Sequence, residues 1–290
     1  MTYSLFNLLF LTLLLGVASC GIAVLVLIHA LSVSQNSEIP KWRKKNSPTH
    51  LLAVLGSGGH TAEMFSMLRR MNLDPSVYTH RTYVVSSGDN FSAEKAVEFE
   101  TSWLKENQGA SMSVNGHGAA ESYSIVTVPR ARRVHQSYLT APFSTVQCFW
   151  SCLLVLCGRH ADQKLVPLRS ATPYPDVILT NGPATAVCMV LAAKFLRLCH
   201  YLETFFSSKN GHYMASSKEH SVNAATNAQH VDFQLRTIYV ESWARVKTLS
   251  MSGKLLLSLA DRFLVQWPAL AGKQAWNGMR KTEYVGALVD

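Results

Sequence analysis

The residues Gly56-Ser57-Gly58-Gly59-His60 follow an apolar run, His50 to Leu55, and precede a helix-like segment that starts at Thr61. A glycine cluster between a strand and a helix lets backbone N–H groups come close to an oxyanion, and the helix N-terminus adds a favourable dipole. Phosphate binding is therefore the chemistry this stretch suits. Gly56 would permit the turn, and Gly58 and Gly59 the close approach. His60, at the start of the helix, would take a proton from a hydroxyl group or donate a hydrogen bond to an oxyanion; the plainer alternative is a capping or packing histidine. A dinucleotide fingerprint needs a third glycine where Thr61 stands, and no acidic residue closes the next apolar run. A P-loop would need Gly-Lys-Ser/Thr, which is absent.

Three other places offer chemistry at the ends of apolar runs. Arg130, Arg132 and Arg133 follow Ser124–Val128, and arginines grip a diphosphate bidentately; attraction to anionic lipid headgroups is the alternative. Asn181 and Gly182 follow Asp176–Thr180, as a sugar contact or as a helix cap. Glu241 and Ser242 follow Thr237–Val240. Glu241 would bind acceptor hydroxyls or act as a base, or pair with Arg245 one turn on. No zinc-type spacing of Cys and His occurs, and none of the six cysteines forms a CxxC pair, so neither a metal nor a cofactor is expected.

The elements that must position these residues alternate. Strand-like runs at His50–Leu55, Arg81–Ser86, Ser124–Val128, Asp176–Thr180, Thr237–Val240 and Arg262–Gln266 are separated by helix-like runs at Thr61–Met71, Ser92–Glu106, Pro142–Cys157, from Pro183 to about Leu198, and Ser250–Ala260. Tyr284 and Val285 would add a short edge strand. This βαβα order predicts one α/β domain, residues 49–290, with a parallel sheet whose ligands bind beyond the carboxyl ends of the strands. The polar stretch 204–236 is too long for an ordinary connection and reads as an insertion.

The charged fraction, 16%, is low for a soluble domain. Part of the deficit lies in Leu5–Leu31, which has no Asp, Glu, Lys or Arg and exceeds the ~20 residues a membrane span needs. No Lys or Arg precedes this run and it is too long for a signal peptide, so residues 1–33 read as a retained anchor. Lys41, Arg43, Lys44 and Lys45 in the basic linker 34–48 place the rest of the chain on the cytosolic side. The net charge of +9 favours anionic partners, but the basic residues build no nucleic-acid motif. Pro142–Cys157 is strongly apolar yet short for a span; it reads as a core helix or as an interfacial element beside a polyprenyl chain.

The segments "VLGSGGHTAEM", "PRARRVHQSY", "PDVILTNGPATAV", "IYVESWARVKTLSMSGKLLLSLADRFLVQWPAL" and "YVGALVD" together resemble the membrane-anchoring subunit of the eukaryotic dolichyl-diphosphate N-acetylglucosamine transferase. The resemblance covers most of the chain beyond Pro48 and departs from it in 204–236. It implies a Rossmann-like domain equivalent to the N-terminal half of a GT-B glycosyltransferase. A separate soluble subunit would bind the donor, so the chain would be inactive alone. The implied reaction, inverting, moves GlcNAc from UDP-GlcNAc to GlcNAc-diphosphodolichol at the cytosolic face of the endoplasmic reticulum. On this resemblance Gly56, Ser57, Gly58, Gly59, Arg130, Arg132 and Arg133 would hold the acceptor diphosphate. Asn181, Gly182 and Ser242 would line the sugar cleft, with His60 and Glu241 catalytic. The apolar tail Tyr284, Val285, Gly286, Ala287, Leu288 and Val289 would meet the partner, the alternative being packing back on its own domain. Rival readings are a membrane-bound nucleotide-dependent oxidoreductase and a purely structural anchor.

Overall fold

A computed structural model describes residues 48–71, 73–74, 77–107, 123–133, 136–137, 139–163, 174–182, 184–211 and 235–289, with residues 12, 14–16, 18–19, 21–22, 25 and 29 towards the N-terminus. The expected anchor therefore lies mainly outside the described residues. Those of its residues that are described are helical and exposed. Among the described residues, no helix is long and apolar enough to cross a membrane.

The chain order is β1 (His50–Val54), α1 (Gly59–Arg70), β2 (His80–Ser86), α2 (Asn90–Asn107), β3 (Tyr123–Val128), α3 (Ala141–Leu156), β4 (Val177–Asn181), α4 (Ala184–Gly211), β5 (Arg236–Val240), α5 (Met251–Leu256), β6 (Arg262–Val265), a 3₁₀ turn (Pro268–Leu270) and β7 (Glu283–Tyr284). The seven strands form one sheet in the order β3-β2-β1-β4-β5-β6-β7, and every pairing is parallel. The first six follow the doubly wound Rossmann order, in which the chain reverses direction between β1 and β4. The fold is the expected α/β Rossmann-like domain.

Side chains alternate across the buried strands. Leu52 and Val54 of β1 face α3 and α4, with Cys148, Cys152, Val155, Met189 and Ala193. Leu51, Ala53 and Leu55 face α1 and α2, with Met64, Phe65, Leu68 and Phe99. A third cluster seats α5 on Tyr239, Phe263 and Val265. Cys148, Cys152 and Cys188 are free thiols buried in this packing, where they act as small apolar side chains.

Several boundaries differ from the sequence reading, most by one or two residues; the edge strand β7, for example, is Glu283–Tyr284 rather than Tyr284–Val285. The α4 helix does not end near Leu198 but runs to Gly211, into the stretch read as an insertion. Polar residues increase there, yet no Gly or Pro interrupts the helix before Gly211, and polarity alone does not stop a helix. Residues 212–234 lie outside the described residues. The α2 helix begins at Asn90 rather than Ser92, because Asp89 caps it: its Oδ1 accepts the Ser92 N–H at 3.1 Å. The α5 helix is shorter than Ser250–Ala260, and Ser250 is its cap, accepting the Gly253 N–H at 2.9 Å.

At the opposite end of the sheet from the glycine turn, His50 and His80 are buried with ring centroids 4.7 Å apart. His50 Nε2 lies 2.8 Å from Thr82 Oγ1. Burial, helped by the neighbouring His80, pulls the His50 imidazole down to about 3. The unfolded chain, with an ordinary value near 6.5, binds this proton more readily. The stability contributed by neutral His50 is thus complete above about pH 6.5 and is lost as the pH falls towards 3. Between pH 7.5 and 5.0 this group should cost ~2 kcal/mol. Denaturant titrations at the two pH values check it: His50→Gln should show a smaller loss than the parent chain, and an equal loss would contradict the assignment.

Candidate functional site

The reversal between β1 and β4 opens the crevice where ligands of doubly wound sheets bind, and both the glycine turn and Asn181-Gly182 lie there. Gly58 is the N-terminal cap position of α1, with φ 62° and ψ −120°, a conformation that only glycine adopts easily. The left-handed residue of the turn is thus Gly58; Gly56, expected to make the tight turn, is not among the positive-φ glycines. Its carbonyl instead accepts from the hydroxyls of Thr61 and Ser92, the latter at 3.2 Å. The Ser92 hydroxyl lies 2.7 Å from Asp89 Oδ2, so the turn is tied to the end of β2. Thr61, which stands where a dinucleotide site has glycine, is one of these ties. Ser57, Gly58 and Gly59 are exposed. A glycine cap has no side chain to satisfy the first N–H groups of the helix, which leaves them for a ligand.

His60 follows directly and is partly buried. Its ring rests against Gly182, which has φ +82°. A Cβ at that position would lie 2.6 Å from His60 Cγ, so glycine is required there on two counts. His60 Nδ1 is 3.2 Å from Asn181 Oδ1 and 3.6 Å from Glu63 Oε2. Glu63, one turn along α1, also accepts from Asn181 Nδ2 at 2.8 Å and from the Ser242 hydroxyl at 2.8 Å. One carboxylate thereby joins α1, the end of β4 and the end of β5. The neighbouring Glu63 carboxylate raises His60 above the usual histidine value, against the opposing effect of burial. Burial pushes Glu63 upward, but its bonds with His60, Asn181 and Ser242 outweigh this and hold it below the usual carboxylate value.

Glu241 is fully buried. Its Oε1 accepts the Ser242 N–H at 3.2 Å, and its Oε2 accepts the Ser250 N–H at 3.0 Å and the Ser250 hydroxyl at 3.1 Å. It secures the β5–α5 loop and the start of α5 rather than pairing with Arg245. Gly253 is part of this arrangement, since a Cβ there would lie 2.1 Å from Glu241 Oε2. His60, Gly182, Glu241, Ser242, Arg245 and Met251 line a cavity of about 380 Å³ with Ala244, Ser250 and Ser252. His60 thus belongs both to the turn and to the cavity.

The structure brings together His60, Asn181, Gly182, Glu241 and Ser242, and adds Glu63. Asn181 does not cap α4; its amide is occupied by His60 and Glu63. Arg130, Arg132 and Arg133 do not line the cavity. Arg130 donates from Nε to Ser87 O at 2.9 Å and so braces the loop after β2. Arg132 reaches Gln136 O at 3.4 Å, and both Arg132 and Arg133 are exposed. The tail is fastened to its own domain at three points. Val285 N donates to Val265 O at 3.1 Å, Arg70 Nη1 to Ala287 O at 2.5 Å, and Leu288 N to Gln266 Oε1 at 2.9 Å. Tyr284, on the outermost strand, and Val285, just beyond it, keep exposed side chains. Glu63 is not among the residues that the sequence singles out; its i, i+3 spacing from His60 is the available signal. Among the described residues no group of three His, Cys, Asp or Glu could hold a metal ion.

The family model described as "Oligosaccharide biosynthesis protein Alg14 like" matches residues 51–288, which include the whole sheet apart from His50 and every residue of this site. This chain belongs to the Alg14 family. The Aspergillus fumigatus protein named UDP-N-acetylglucosamine transferase subunit alg14 is 69% identical over 228 residues, 78% of this chain and 100% of that relative. The Schizosaccharomyces pombe protein of the same name is 37% identical over 268 residues, covering 92% and 96% of the two chains. The human Alg14 relative is 28% identical over 277 residues, covering 96% and 98%. No solved structure matches.

Proposed function

We propose that this chain is the acceptor-side subunit of a transferase that moves N-acetylglucosamine from UDP-N-acetylglucosamine to N-acetylglucosaminyl-diphosphodolichol. A soluble partner subunit brings the donor-binding half. The observation that carries the reading is the glycine-capped N-terminus of α1 at the β1/β4 reversal, beside a histidine-lined cavity, in an Alg14-family chain. Relatives named as subunits of UDP-N-acetylglucosamine transferase support it.

In this mechanism the N–H groups of Gly59 and its neighbours hold the acceptor diphosphate. The acceptor hydroxyl attacks the anomeric carbon of the donor sugar, UDP leaves with the bonding pair, and His60 takes the hydroxyl proton. Glu241 keeps the cavity wall in place rather than serving as the base. Arg132 and Arg133 meet anionic headgroups or the outer phosphate. The apolar run Leu5–Leu31 anchors the chain in the endoplasmic reticulum membrane with the domain on the cytosolic side. The α3 face with Phe143 (80% exposed), Val146 (67%) and Trp150 (63%) lies at the bilayer surface. The partner docks along β7, where Tyr284 and Val285 are exposed.

Gly59→Val tests the reading. Nothing lies within 4 Å of a Cβ at Gly59 and its φ is ordinary, so the variant should fold and co-purify with its partner. The valine blocks approach to the helix N-terminus, and transfer to a dolichyl-type diphosphate acceptor should fall at least ~10²-fold. Gly58→Val, by contrast, should also lose stability because of its left-handed backbone. A normally abundant Gly59→Val complex with full activity would reject the phosphate role and favour a purely recruiting anchor.

A further inference from the structure

We infer that Glu63 is a positioning residue for His60: with Asn181, it fixes which imidazole nitrogen faces the reaction and favours proton acceptance there. The inference rests on the proposed role of His60 and deepens it.

A carboxylate accepts hydrogen bonds and cannot donate them, so the Asn181 group 2.8 Å from Glu63 Oε2 is its NH₂. That leaves the carbonyl oxygen of Asn181 on the His60 side, 3.2 Å from Nδ1. The second neighbour of Nδ1, Glu63 Oε2 at 3.6 Å, is also an acceptor. An imidazole nitrogen between two acceptors carries the hydrogen. Neutral His60 is therefore the Nδ1–H tautomer, and its lone pair sits on Nε2. Proton acceptance then occurs at Nε2, and the positive charge that develops on the ring is met by the Glu63 carboxylate. This division of labour, with a carboxylate orienting a histidine that does the proton transfer, is a general one.

The charged and titratable groups around His60 are few. Glu63 comes from α1. Glu241, at the end of β5, adds a weaker negative field. Arg245 lines the same cavity, and Tyr239 lies beneath, 3.2 Å from the Ser250 hydroxyl. Glu241 already accepts three hydrogen bonds from Ser242 and Ser250, so Glu63 is the carboxylate able to answer the imidazole. Ser242 moderates it by donating to Oε1. The two substitutions on this carboxylate should thus act in opposite directions. Glu63→Gln removes the charge, and Ser242→Ala removes a donor that competes for it.

The experiment measures pH–rate profiles of the full chain co-expressed with its donor-binding subunit, for the parent, Glu63→Gln, Ser242→Ala, His60→Gln and the Glu63→Gln/His60→Gln pair. Glu63→Gln should lower kcat ~10- to 100-fold with little change in acceptor KM and move the acidic limb to lower pH. Ser242→Ala should move that limb to higher pH. The double variant should be no slower than His60→Gln alone, because the two residues act as one unit. An unmoved limb in both Glu63→Gln and Ser242→Ala would overturn the inference while leaving the role of His60 intact, as would full additivity in the double variant. A His60→Gln complex with parental activity would overturn both. Should Glu63→Gln not accumulate, the Ser242→Ala limb decides alone: movement to higher pH supports the inference, and no movement or movement to lower pH refutes it.

Discussion

Gly182→Ala should lower the transferase activity of the assembled complex about 10²-fold or more while costing only about 1–2 kcal/mol of stability. The added methyl would sit 2.6 Å from His60 Cγ and 2.8 Å from both Cδ2 and Nδ1. No carbon contact is tolerated at that distance, so the imidazole must turn or shift. Any such movement disturbs the 3.2 Å approach to Asn181, and with His60 in its proposed role a displacement near 1 Å is enough for the stated loss. The left-handed backbone of Gly182, φ +82°, adds the modest cost in stability. Initial rates with a short-chain lipid diphosphate acceptor, measured beside the thermal midpoint and co-purification of the partner, separate the two effects. Parental kcat in a well-folded Gly182→Ala complex would show that the place of the His60 ring is immaterial.

The largest effect on stability should come from Glu100. Arg81 and Glu100 are 1% and 0% exposed and meet in a bidentate pair at 2.7 and 2.8 Å. Tyr83 donates to the same carboxylate at 2.7 Å, and Trp103 covers the guanidinium at 4.1 Å. Glu100→Gln keeps the volume but leaves a buried cation without its counter-charge, which should cost ~3–5 kcal/mol. Replacing both partners, as in Arg81→Met/Glu100→Leu, should cost less than the sum of the two single changes, since no charge is then stranded. Chemical denaturation of Glu100→Gln, Arg81→Met, Glu100→Leu and the double variant measures this. Strict additivity would mean that the pair is not coupled.

Much of the fold was legible because a parallel sheet buries both faces of its strands. His50–Leu55 and Thr237–Val240 were conspicuous as uninterrupted apolar runs between turn residues. The strand ends were legible for the same reason, and the reversal at β1 and β4 brought His60, Asn181, Gly182, Glu241 and Ser242 together. What was missed depended on side-chain direction. Glu63 reads in the sequence as one more polar residue of α1, and its contacts with two strand ends carry no separate signal there. Asn181 before Gly182-Pro183 has the composition of a helix cap, and only the fold shows its amide aimed at α1. Arg130 lies in a basic cluster that resembles an anion grip, but it is bonded to a backbone carbonyl. Glu241 lines the cavity, and only its hydrogen bonds reveal that both oxygens are committed to holding a loop.

The place of β1 in the sheet has a consequence for how the chain acquires its shape. β1 is hydrogen-bonded to β2 on one side and to β4 on the other. A nascent chain synthesised only as far as β3 can form the first of these ladders and not the second. It therefore carries a bare, apolar strand edge of the kind that invites pairing with another molecule. The same interval separates His60 from Asn181, and Glu63 from Ser242, so the closure that covers the vulnerable edge also begins the crevice. A ribosome that stalls between β3 and β4 releases a species with neither protection nor chemistry, and variants that slow this long-range closure should be visible first as aggregation and only afterwards as lost turnover.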